Sequence, residues 1–491
     1  MILGDPVRSD TSYMHDVKRV LYYLKESRTV RAGIWYTVTD FLLKGTAFIT
    51  IPVYTRLMSI EEYGIASVYA TFSSIFAVIT GLDLHASIGT GINDFREKKD
   101  SFLSSVLFLS FLGFLVFAVF GFIGKDYLSS LLNLKNDVLY LSIIAGYLGF
   151  VINFYTFVKV FEKDYKKKSM ISLINAFSNI GLSIFLLMII SKDKHLGRIY
   201  GDLFSKLFLA VILFAIIVSH GKKLVWPEAW KYSLAIGVPL ILHNLSGIIL
   251  AQFDRLAIQK MINSEKVGLY SYAYNLGMVP SVVLGALNLA WVPWFYDKMY
   301  RGNSKEVDLK SRYYNEVFLL LLCLMYIMIP ELGVIMAPLS YTASLVLIPV
   351  IISSYYMQFL YTLYVNFAFF YKKTAAISAG TVLAGLVNVV LNVLLIPKYG
   401  YEIAAITTLV SYFLLLLFHA LNVRRNLKDR TLSARYVFSN AFLIIGLGFV
   451  QYSISRSFGI FSTVERVSRL TIFGGLGLII LVRLYRKLRV S

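Results

Sequence analysis

The chain is divided into about fourteen apolar blocks, and each block is long enough to cross a membrane. Hydrophobic residues make up 57% of the 491 residues, and the mean hydropathy of +0.68 is too high for a soluble globular protein. Runs such as 102–124 and 317–337, at a rise of about 1.5 Å per residue, cover a hydrocarbon core of about 30 Å. Backbone polar groups in lipid have to be satisfied within the segment, so these runs are predicted to be helices. The sequence therefore predicts an all-α polytopic membrane protein.

The lysines and arginines are distributed unevenly between the connections of these blocks. The predicted spans are 32–54, 64–84, 101–124, 138–159, 169–190, 197–218, 232–253, 267–290, 314–337, 344–370, 374–396, 402–421, 434–454 and 469–485. About two thirds of the 48 Lys and Arg residues fall in the two termini and in every second connection. The positive-inside rule therefore predicts that both termini are cytoplasmic. The net charge of +20 is then a topology signal, with membrane lipid, and not nucleic acid, as the partner.

An internal repeat with an offset of 204 residues divides the chain into two halves. The segment 56–67 aligns with 260–271: both begin with a cation, followed by a glutamate five residues on and a glycine three residues further. Each copy joins the first span of a six-span block to its second span, so both blocks enter the membrane in the same orientation. The repeat predicts two six-helix bundles related by a pseudo-two-fold axis along the membrane normal, with a shared cavity between them.

The predicted divisions follow from this repeat. They are a cytoplasmic segment 1–31, a first bundle 32–228, a second bundle 229–421, and two further transmembrane helices with a cytoplasmic tail in 422–491. The first segment carries charges but no apolar core ending in a cleavage site, so it is not predicted to be a signal peptide. Two repeated bundles that face each other are the architecture of alternating access, in which one half rocks against the other.

Ionisable residues at bilayer depth mark candidate functional positions, because each costs roughly 2.5–3.5 kcal/mol on insertion scales. Asp40 and Lys44 lie four residues apart in the first span, with Lys44 near mid-membrane, and their spacing allows an ion pair. A lysine in a water-filled cavity binds an anion such as phosphate as a point charge. Asp202 and Lys206 repeat the spacing in the sixth span, where a structural pair between helices is the favoured interpretation.

Further charged residues are candidates for the same cavity. The predicted substrate-binding set, for a diphosphate or sugar, is Lys44, Arg56, His243, Arg255 and Lys260. The predicted set for proton or ion coupling is Asp40, Asp83 and Glu331, with proton and sodium both left open. Residues of both sets near the interfaces have structural alternatives, since polar side-chain tips reach water cheaply there.

The chain lacks the sequence signals of a metal site or an enzyme. Its single cysteine, Cys323, excludes a disulfide or a multi-cysteine metal site within one chain. The sequence shows no metal-ligand cluster, no phosphate-cradling glycine loop and no nucleophile–base motif. We therefore expect no cofactor, no metal and no enzymatic activity.

Several motifs, in their order and spacing, resemble Wzx-type polysaccharide (O-antigen) flippases of the multidrug/oligosaccharidyl-lipid/polysaccharide exporter superfamily. The motifs are Leu42-Leu43-Lys44-Gly45, residues 52–57, Glu62-Tyr63-Gly64, Gly237-Val238-Pro239, Asp254-Arg255, residues 267–274 and residues 392–400. The resemblance covers about 32–421, and the fourteen-span count extends it to the end of the chain. The sequence departs from the family pattern at His85 and Glu331.

The resemblance implies translocation of an undecaprenyl-diphosphate-linked oligosaccharide from the inner to the outer leaflet of a bacterial cytoplasmic membrane. It implies a cationic central cavity that takes the diphosphate and sugars, with Lys44 as the best diphosphate candidate. By analogy with the related lipid II flippase, residues 434–485 would form a groove for the lipid tail. Other membrane proteins of polysaccharide assembly are further candidate partners.

Three alternatives stay open. A drug or cation antiporter of the same superfamily would prefer acidic cavity residues and a twelve-span body, so Lys44 and the two extra spans weigh against it. A membrane polysaccharide polymerase or glycosyltransferase would need a sizeable outer loop for its catalytic groups, and the predicted outer loops are short. A structural or scaffolding role does not account for the charges at mid-membrane depth.

Overall fold

The computed structural model describes residues 28–490 and is built from fourteen long helices, with no strand in that part of the chain. The helices are α1 (Arg28–Leu57), α2 (Ile60–Thr80), α3 (Lys99–Ile123), α4 (Asn136–Phe161), α5 (Tyr165–Ile189), α6 (Lys194–Gly221), α7 (Pro227–Met261), α8 (Ser264–Tyr300), α9 (Ser304–Met336), α10 (Leu339–Phe370), α11 (Ala375–Tyr399), α12 (Ile403–Leu421), α13 (Ala434–Phe458) and α14 (Thr463–Arg486). Thirteen of them, α2 to α14, are long and apolar enough to cross a membrane. α1 occupies the position of the first predicted span, so the predicted fold class is confirmed.

The connections between the helices alternate between two faces of the bundle. On the face where α1 ends, the backbone N–H of Lys194 donates to Glu62 Oε1 at 2.7 Å. On the face where α1 begins, Lys99 Nζ donates to Glu162 Oε1 at 2.7 Å. We call the first the distal face and the second the proximal face. Most of the predicted segment 1–31 lies outside the described residues.

The two sets of six helices pack in the same pattern. In each set the first helix packs on the fifth, as α1 on α5 and α7 on α11. The fourth packs on the sixth and the fifth on the sixth, as α4 and α5 on α6, and α10 and α11 on α12. This shared pattern supports the division into 32–228 and 229–421, whose boundaries stay a prediction.

The halves meet at the distal face through the two glycines that the repeat aligns. A Cβ atom on Gly64 of α2 would overlap the carbonyl oxygen of Ser264, and one on Gly268 of α8 would overlap that of Ile60. Ser264 and Ile60 are themselves 204 residues apart, so the contact is reciprocal, as it is across a two-fold axis. Only glycine allows the two backbones to approach this closely. The first turns of α2 and α8 therefore close the distal side.

Both helix starts at this contact are fixed by side-chain caps. Ser59 Oγ accepts from the backbone N–H of Glu62, and Glu62 Oε2 accepts from the N–H of Ser59 at 2.8 Å, which together form a capping box. At the start of α8, Asn263 Oδ1 accepts from the N–H of Lys266 at 2.9 Å. These caps satisfy backbone donors that the first helical turn leaves free.

The last two helices pack on the second half. α13 lies against α10 and α14 lies against α9. Tyr326 of α9 stacks on Phe473 of α14 with ring centroids 3.9 Å apart. Near the distal face, Arg469 of α14 donates to Glu331 of α9 at 2.8 Å. α13 and α14 are thus attached to one half only.

Candidate functional site

Lys44 lies half-buried on α1, and its ammonium group faces the other half of the protein. A Cβ atom on Gly285 of α8 would lie 3.4 Å from Lys44 Nζ. Asp40 is the predicted ion-pair partner of Lys44, and its side chain is not among those that the structure describes. Among the side chains that the structure does describe, none forms a hydrogen bond or an ion pair with Lys44. This places an ammonium group at the boundary between the halves without a described counter-charge.

Arg255 is a second cation between the helices of the second half. It is 9% exposed, and its Nε donates to Ser271 Oγ at 3.2 Å. Its guanidinium lies 5.3 Å from the centre of the Tyr274 ring, within the range of a cation–π contact. It makes no ion pair with a described carboxylate, although Asp254 precedes it in the chain.

Arg198 of α6 is the corresponding cation of the first half. Its Nη1 donates to Asn179 Oδ1 at 2.6 Å and to Ser183 Oγ at 2.9 Å. The guanidinium lies over the Tyr54 ring at 4.6 Å. The sequence interpretation missed this residue, because it falls in the outermost turn of the predicted span 197–218.

Tyr63 lies near both of these arginines. Both Arg198 and Arg255 are close enough to Tyr63 to interact with it electrostatically. Its hydroxyl accepts a hydrogen bond from Asn275 Nδ2 at 2.8 Å, which joins α2 to α8. Because Tyr63 directly precedes Gly64, this polar cluster lies immediately beside the distal contact between the halves.

A cavity of about 320 Å³ lies in the first half beside Arg198. Asp202 lines it and accepts from Lys206 Nζ at 2.6 Å and from the Tyr69 hydroxyl at 2.9 Å. Asn179 Nδ2 also donates to Asp202. The predicted pair of Asp202 and Lys206 is therefore present, within α6 rather than between two helices, and Tyr69 ties it to α2.

Asp254 of α7 is a buried carboxylate surrounded by donors. It accepts from Asn392 Nδ2 at 2.6 Å, from Thr408 Oγ1 at 2.7 Å and from the Tyr270 hydroxyl. Each half thus contains a buried carboxylate bound by a tyrosine of its second helix and an asparagine of its fifth. Hydrogen bonds of this kind offset the cost of burying the charge.

Asp83 connects the end of α2 to α7 in the connection that follows α2. Its side chain is fully buried, and Asn244 Nδ2 donates to its Oδ2 at 2.7 Å. His85 Nδ1 lies 3.3 Å from the other carboxylate oxygen. Burial raises the pKa of Asp83 to about 6, against the opposing effect of the Asn244 hydrogen bond. His243, next to Asn244, is half-buried.

The backbone at Asp83 adopts a strained conformation. Leu82 and Asp83 have φ values of 50° and 52°, in the left-handed region that non-glycine residues seldom occupy. A Cβ atom on Gly237 of α7 would lie 2.7 Å from the carbonyl oxygen of Leu82. The end of α2 is thus held tightly against α7 on the proximal side of the boundary.

The structure places Arg56 and Lys260 at the distal face, away from Lys44. Arg56 donates to the carbonyl oxygens of Pro52 at 3.0 Å and of Ile335 at 2.7 Å. Lys260 Nζ donates to the carbonyl oxygen of Ser130 at 2.8 Å. Both cations are exposed and bind main-chain carbonyls at helix ends, so neither lines the boundary beside Lys44.

Glu331, predicted as a coupling residue, forms ion pairs with α14. It lies 2.8 Å from Arg469 Nη2 and 3.4 Å from Arg466 Nε. Arg469 is itself buried and lies 3.5 Å from Glu465. Among the side chains that the structure describes, no group of three or more His, Cys, Asp or Glu residues is arranged to hold a metal ion.

The described residues thus form two repeated six-helix halves of a polytopic membrane protein, with cations close to the boundary between the halves. Solved structures share this fold. The lipid II flippase MurJ in an inward-closed conformation has a TM-score of 0.65 at 15% identity, covering 94% of this chain and 98% of that one. An inward-facing multidrug resistance transporter of the MATE family has a TM-score of 0.60 at 14% identity, covering 78% and 98%.

The family is shown by the sequence itself. Residues 29–299, more than half of the chain, match the family described as "Polysaccharide biosynthesis protein", and the chain belongs to it. An Lsg-locus protein of Haemophilus influenzae is 24% identical over 377 residues, which are 74% of this chain and 90% of that relative. A membrane protein of the same organism is 22% identical over 366 residues. The resemblance inferred from the motifs is confirmed.

Proposed function

We propose that this protein is a flippase that moves an undecaprenyl-diphosphate-linked oligosaccharide across the bacterial cytoplasmic membrane for polysaccharide biosynthesis, such as that of O-antigen. The observation that carries the proposal is Lys44, an ammonium group at the boundary of the halves without a described counter-charge. A diphosphate carries negative charge that this ammonium group attracts. Arg198 and Arg255, one from each half, add two guanidinium groups, whose fork geometry suits phosphate oxygens.

The charge distribution supports one orientation of the protein in the membrane and, with it, one direction of transport. The proximal face, where the cations are concentrated, is the cytoplasmic face, so the closed distal face looks outward. The headgroup enters between the halves from the proximal side, while the lipid tail stays in the bilayer along α13 and α14. Separation of the α2 and α8 starts then opens the cavity outward. The protein moves its substrate without breaking covalent bonds.

The family and the fold support this proposal. The family is one of polysaccharide biosynthesis, and one structural relative is a lipid II flippase. A drug or cation antiporter shares the fold, but the unpaired groups at the boundary are cations, which repel a cationic drug. The described boundary therefore favours an anionic substrate.

Substituting Lys44→Ala tests the proposal. We expect export of a defined lipid-linked glycan to fall at least tenfold in cells that lack their own translocator, because the diphosphate loses a point charge. Lys373→Ala removes an exposed lysine at the proximal face and serves as the matched control. Membrane levels of both variants are measured by immunoblot.

Two outcomes would count against the proposal. Export by Lys44→Ala at the parent rate would remove Lys44 as the anchor. Cells without the protein that retain normal glycan export, and instead become sensitive to cationic dyes, would favour the antiporter.

A further inference from the structure

A polar cavity of about 560 Å³ lies at the distal face, apart from the cations at the boundary. The first half contributes the short helix Lys125–Leu132 and the start of α4, and the second half contributes the end of α7 and the start of α8. The volume falls in the range of about 300–1,000 Å³ that is typical of small-molecule sites. Nothing in the proposed flipping step uses this cavity.

Amides and hydroxyls dominate the walls of this distal cavity. They belong to Ser130, Asn133, Asn136, Gln259, Asn263 and Ser264. Among its ionisable lining residues, Glu61 and Asp126 outnumber Lys135. The excess of negative charge disfavours phosphate, whereas amides and hydroxyls match the donors and acceptors of neutral sugar hydroxyls. The distal cavity is thus opposite in chemistry to the cationic boundary.

Two amide oxygens of the cavity are buried without a hydrogen-bond partner in the described part of the chain. Gln259 is 5% exposed, and its Nε2 donates to the carbonyl oxygen of Asn133 at 2.9 Å, which leaves Oε1 unpaired. Asn136 Nδ2 donates to Asp126 at 3.2 Å, and its Oδ1 is likewise unpaired. A buried acceptor without a donor costs about 1–3 kcal/mol, so these oxygens call for a ligand that donates.

The cavity depends on contact between the two halves. Asn133 Nδ2 donates to the carbonyl oxygen of Gln259 at 3.1 Å, and Gln259 returns the bond to Asn133. These paired amide bonds cross the same distal boundary that Gly64 and Gly268 close. If the halves separate there, Gln259 and Asn136 no longer face the same space.

We propose that the distal cavity binds a neutral sugar unit of a glycan on the outer side of the membrane. This inference rests on the proposed function, which makes the distal face the outer one and a glycan the cargo. Sugar hydroxyls bond to the amides and hydroxyls of the cavity walls, with Gln259 Oε1 and Asn136 Oδ1 as acceptors once a side-chain rotation turns these buried oxygens into the cavity. The small side chain of Ser130 leaves room for the ring. Because only the closed distal face forms the site, bound sugar stabilises that state.

Binding is measured by saturation-transfer NMR on the full-length protein in nanodiscs, with lactose and N,N′-diacetylchitobiose as probes. We expect transfer to at least one probe, with inorganic pyrophosphate unable to compete. Gln259→Leu removes an acceptor and Ser130→Trp fills the space, and each should weaken binding at least tenfold. Asn426→Leu, an exposed amide at the opposite face, should bind as the parent does.

The outcomes separate this site from the flippase proposal. No transfer to either probe, unchanged binding in Ser130→Trp, or competition by pyrophosphate would overturn the sugar site. Two variants are used because Gln259→Leu also breaks a hydrogen bond between the halves, whereas the Ser130 side chain has no described partner. Gel filtration and the unfolding temperature check that both variants fold. Lys44→Ala should still bind the probes. Export by Lys44→Ala at the parent rate, with probe binding intact, would overturn only the flippase proposal. Loss of export in Lys44→Ala, together with no binding of either probe by the parent, would overturn only the sugar site.

Discussion

Two kinds of surroundings occur among the charged side chains within the halves and at their boundary. Asp202 and Asp254 are enclosed by hydroxyl and amide donors from neighbouring helices, which offset their desolvation. Lys44 and Arg255 lack a described carboxylate partner. A charge that the protein leaves unpaired at its internal boundary is available to a ligand, whereas one that it encloses in donors stabilises the fold.

Asp83 gives a prediction about stability at the residue scale. Its pKa rises from the ordinary value of 3.8 to about 6, so the folded protein holds this proton more tightly than the unfolded chain. The associated stability, up to about 3 kcal/mol, is present at low pH and is lost as the pH rises through this window. Asp83→Asn should therefore gain stability relative to the parent between pH 4 and about 6, with a constant difference above.

Thermal unfolding of the purified protein across this pH range checks the prediction. Glu97→Gln, which neutralises an exposed carboxylate in the same connection, provides the control and should show no such change. A difference in stability between Asp83→Asn and the parent that stays constant with pH would contradict the raised pKa of Asp83.

At the scale of the helices, two kinds of contact join separate elements. The starts of α2 and α8 meet backbone to backbone at Gly64 and Gly268. α14 is instead held to α9 by the ion pairs that Arg466 and Arg469 form with Glu331. The first contact joins the two halves and, in the proposed mechanism, opens for outward release. The second contact lies within one side of the molecule and can stay closed throughout.

Gly64→Ala should loosen the distal contact, because the added methyl group overlaps the backbone of α8. We expect a membrane-impermeant thiol reagent to label a cysteine at position 275 severalfold faster in this variant than in its parent, with Cys323→Ser in both. Gly181→Ala is the control, since a Cβ atom there meets nothing within 4 Å. Equal labelling in all three proteins would show that the glycine contact does not limit access.

Substituting the acidic and the basic partner of the α9–α14 ion pairs is expected to change stability to different extents. Glu331→Gln should change unfolding free energy by at most about 1 kcal/mol and leave export intact, because Glu331 is half-exposed and pairs at the protein edge. Arg469→Leu should cost about 3–5 kcal/mol, since it leaves Glu465 buried without its cation. Denaturation and export assays measure both, and loss of export in a stable Glu331→Gln would restore the coupling role.

On the scale of the whole molecule, the proposed transport mechanism requires the two halves to move apart at the distal face. Cysteines at positions 133 and 259, in a Cys323→Ser background, would face each other across that boundary. We expect a short, reducible bis-thiosulfonate linker between them to stop export, because it holds the distal side closed, and reduction to restore it. Continued export by the linked protein would argue against rocking of the halves; the single-cysteine variants control for modification alone.

The sequence predicted the helices and their repeat because hydropathy, charge and an offset are properties of the chain itself. It also selected Lys44, whose depth is read directly from its span. It missed the role of Arg198, which depends on how α6 packs against Asn179 and Ser183 of α5. Nor does the sequence show that Arg56 donates a hydrogen bond to the carbonyl oxygen of Ile335, some 280 residues away. The polar pair of Asn179 and Ser183, one turn apart, was the available signal for Arg198.

Because of the reciprocal glycine contact, the atoms that close the distal face are not the side chains that would contact a substrate. Main-chain atoms form this contact, so its fit is independent of whichever sugars occupy the interior. Side chains that line the passage can change to suit a new glycan while the outward barrier keeps its shape. Under the proposed function, the exported polysaccharide can therefore differ between proteins that keep both glycines.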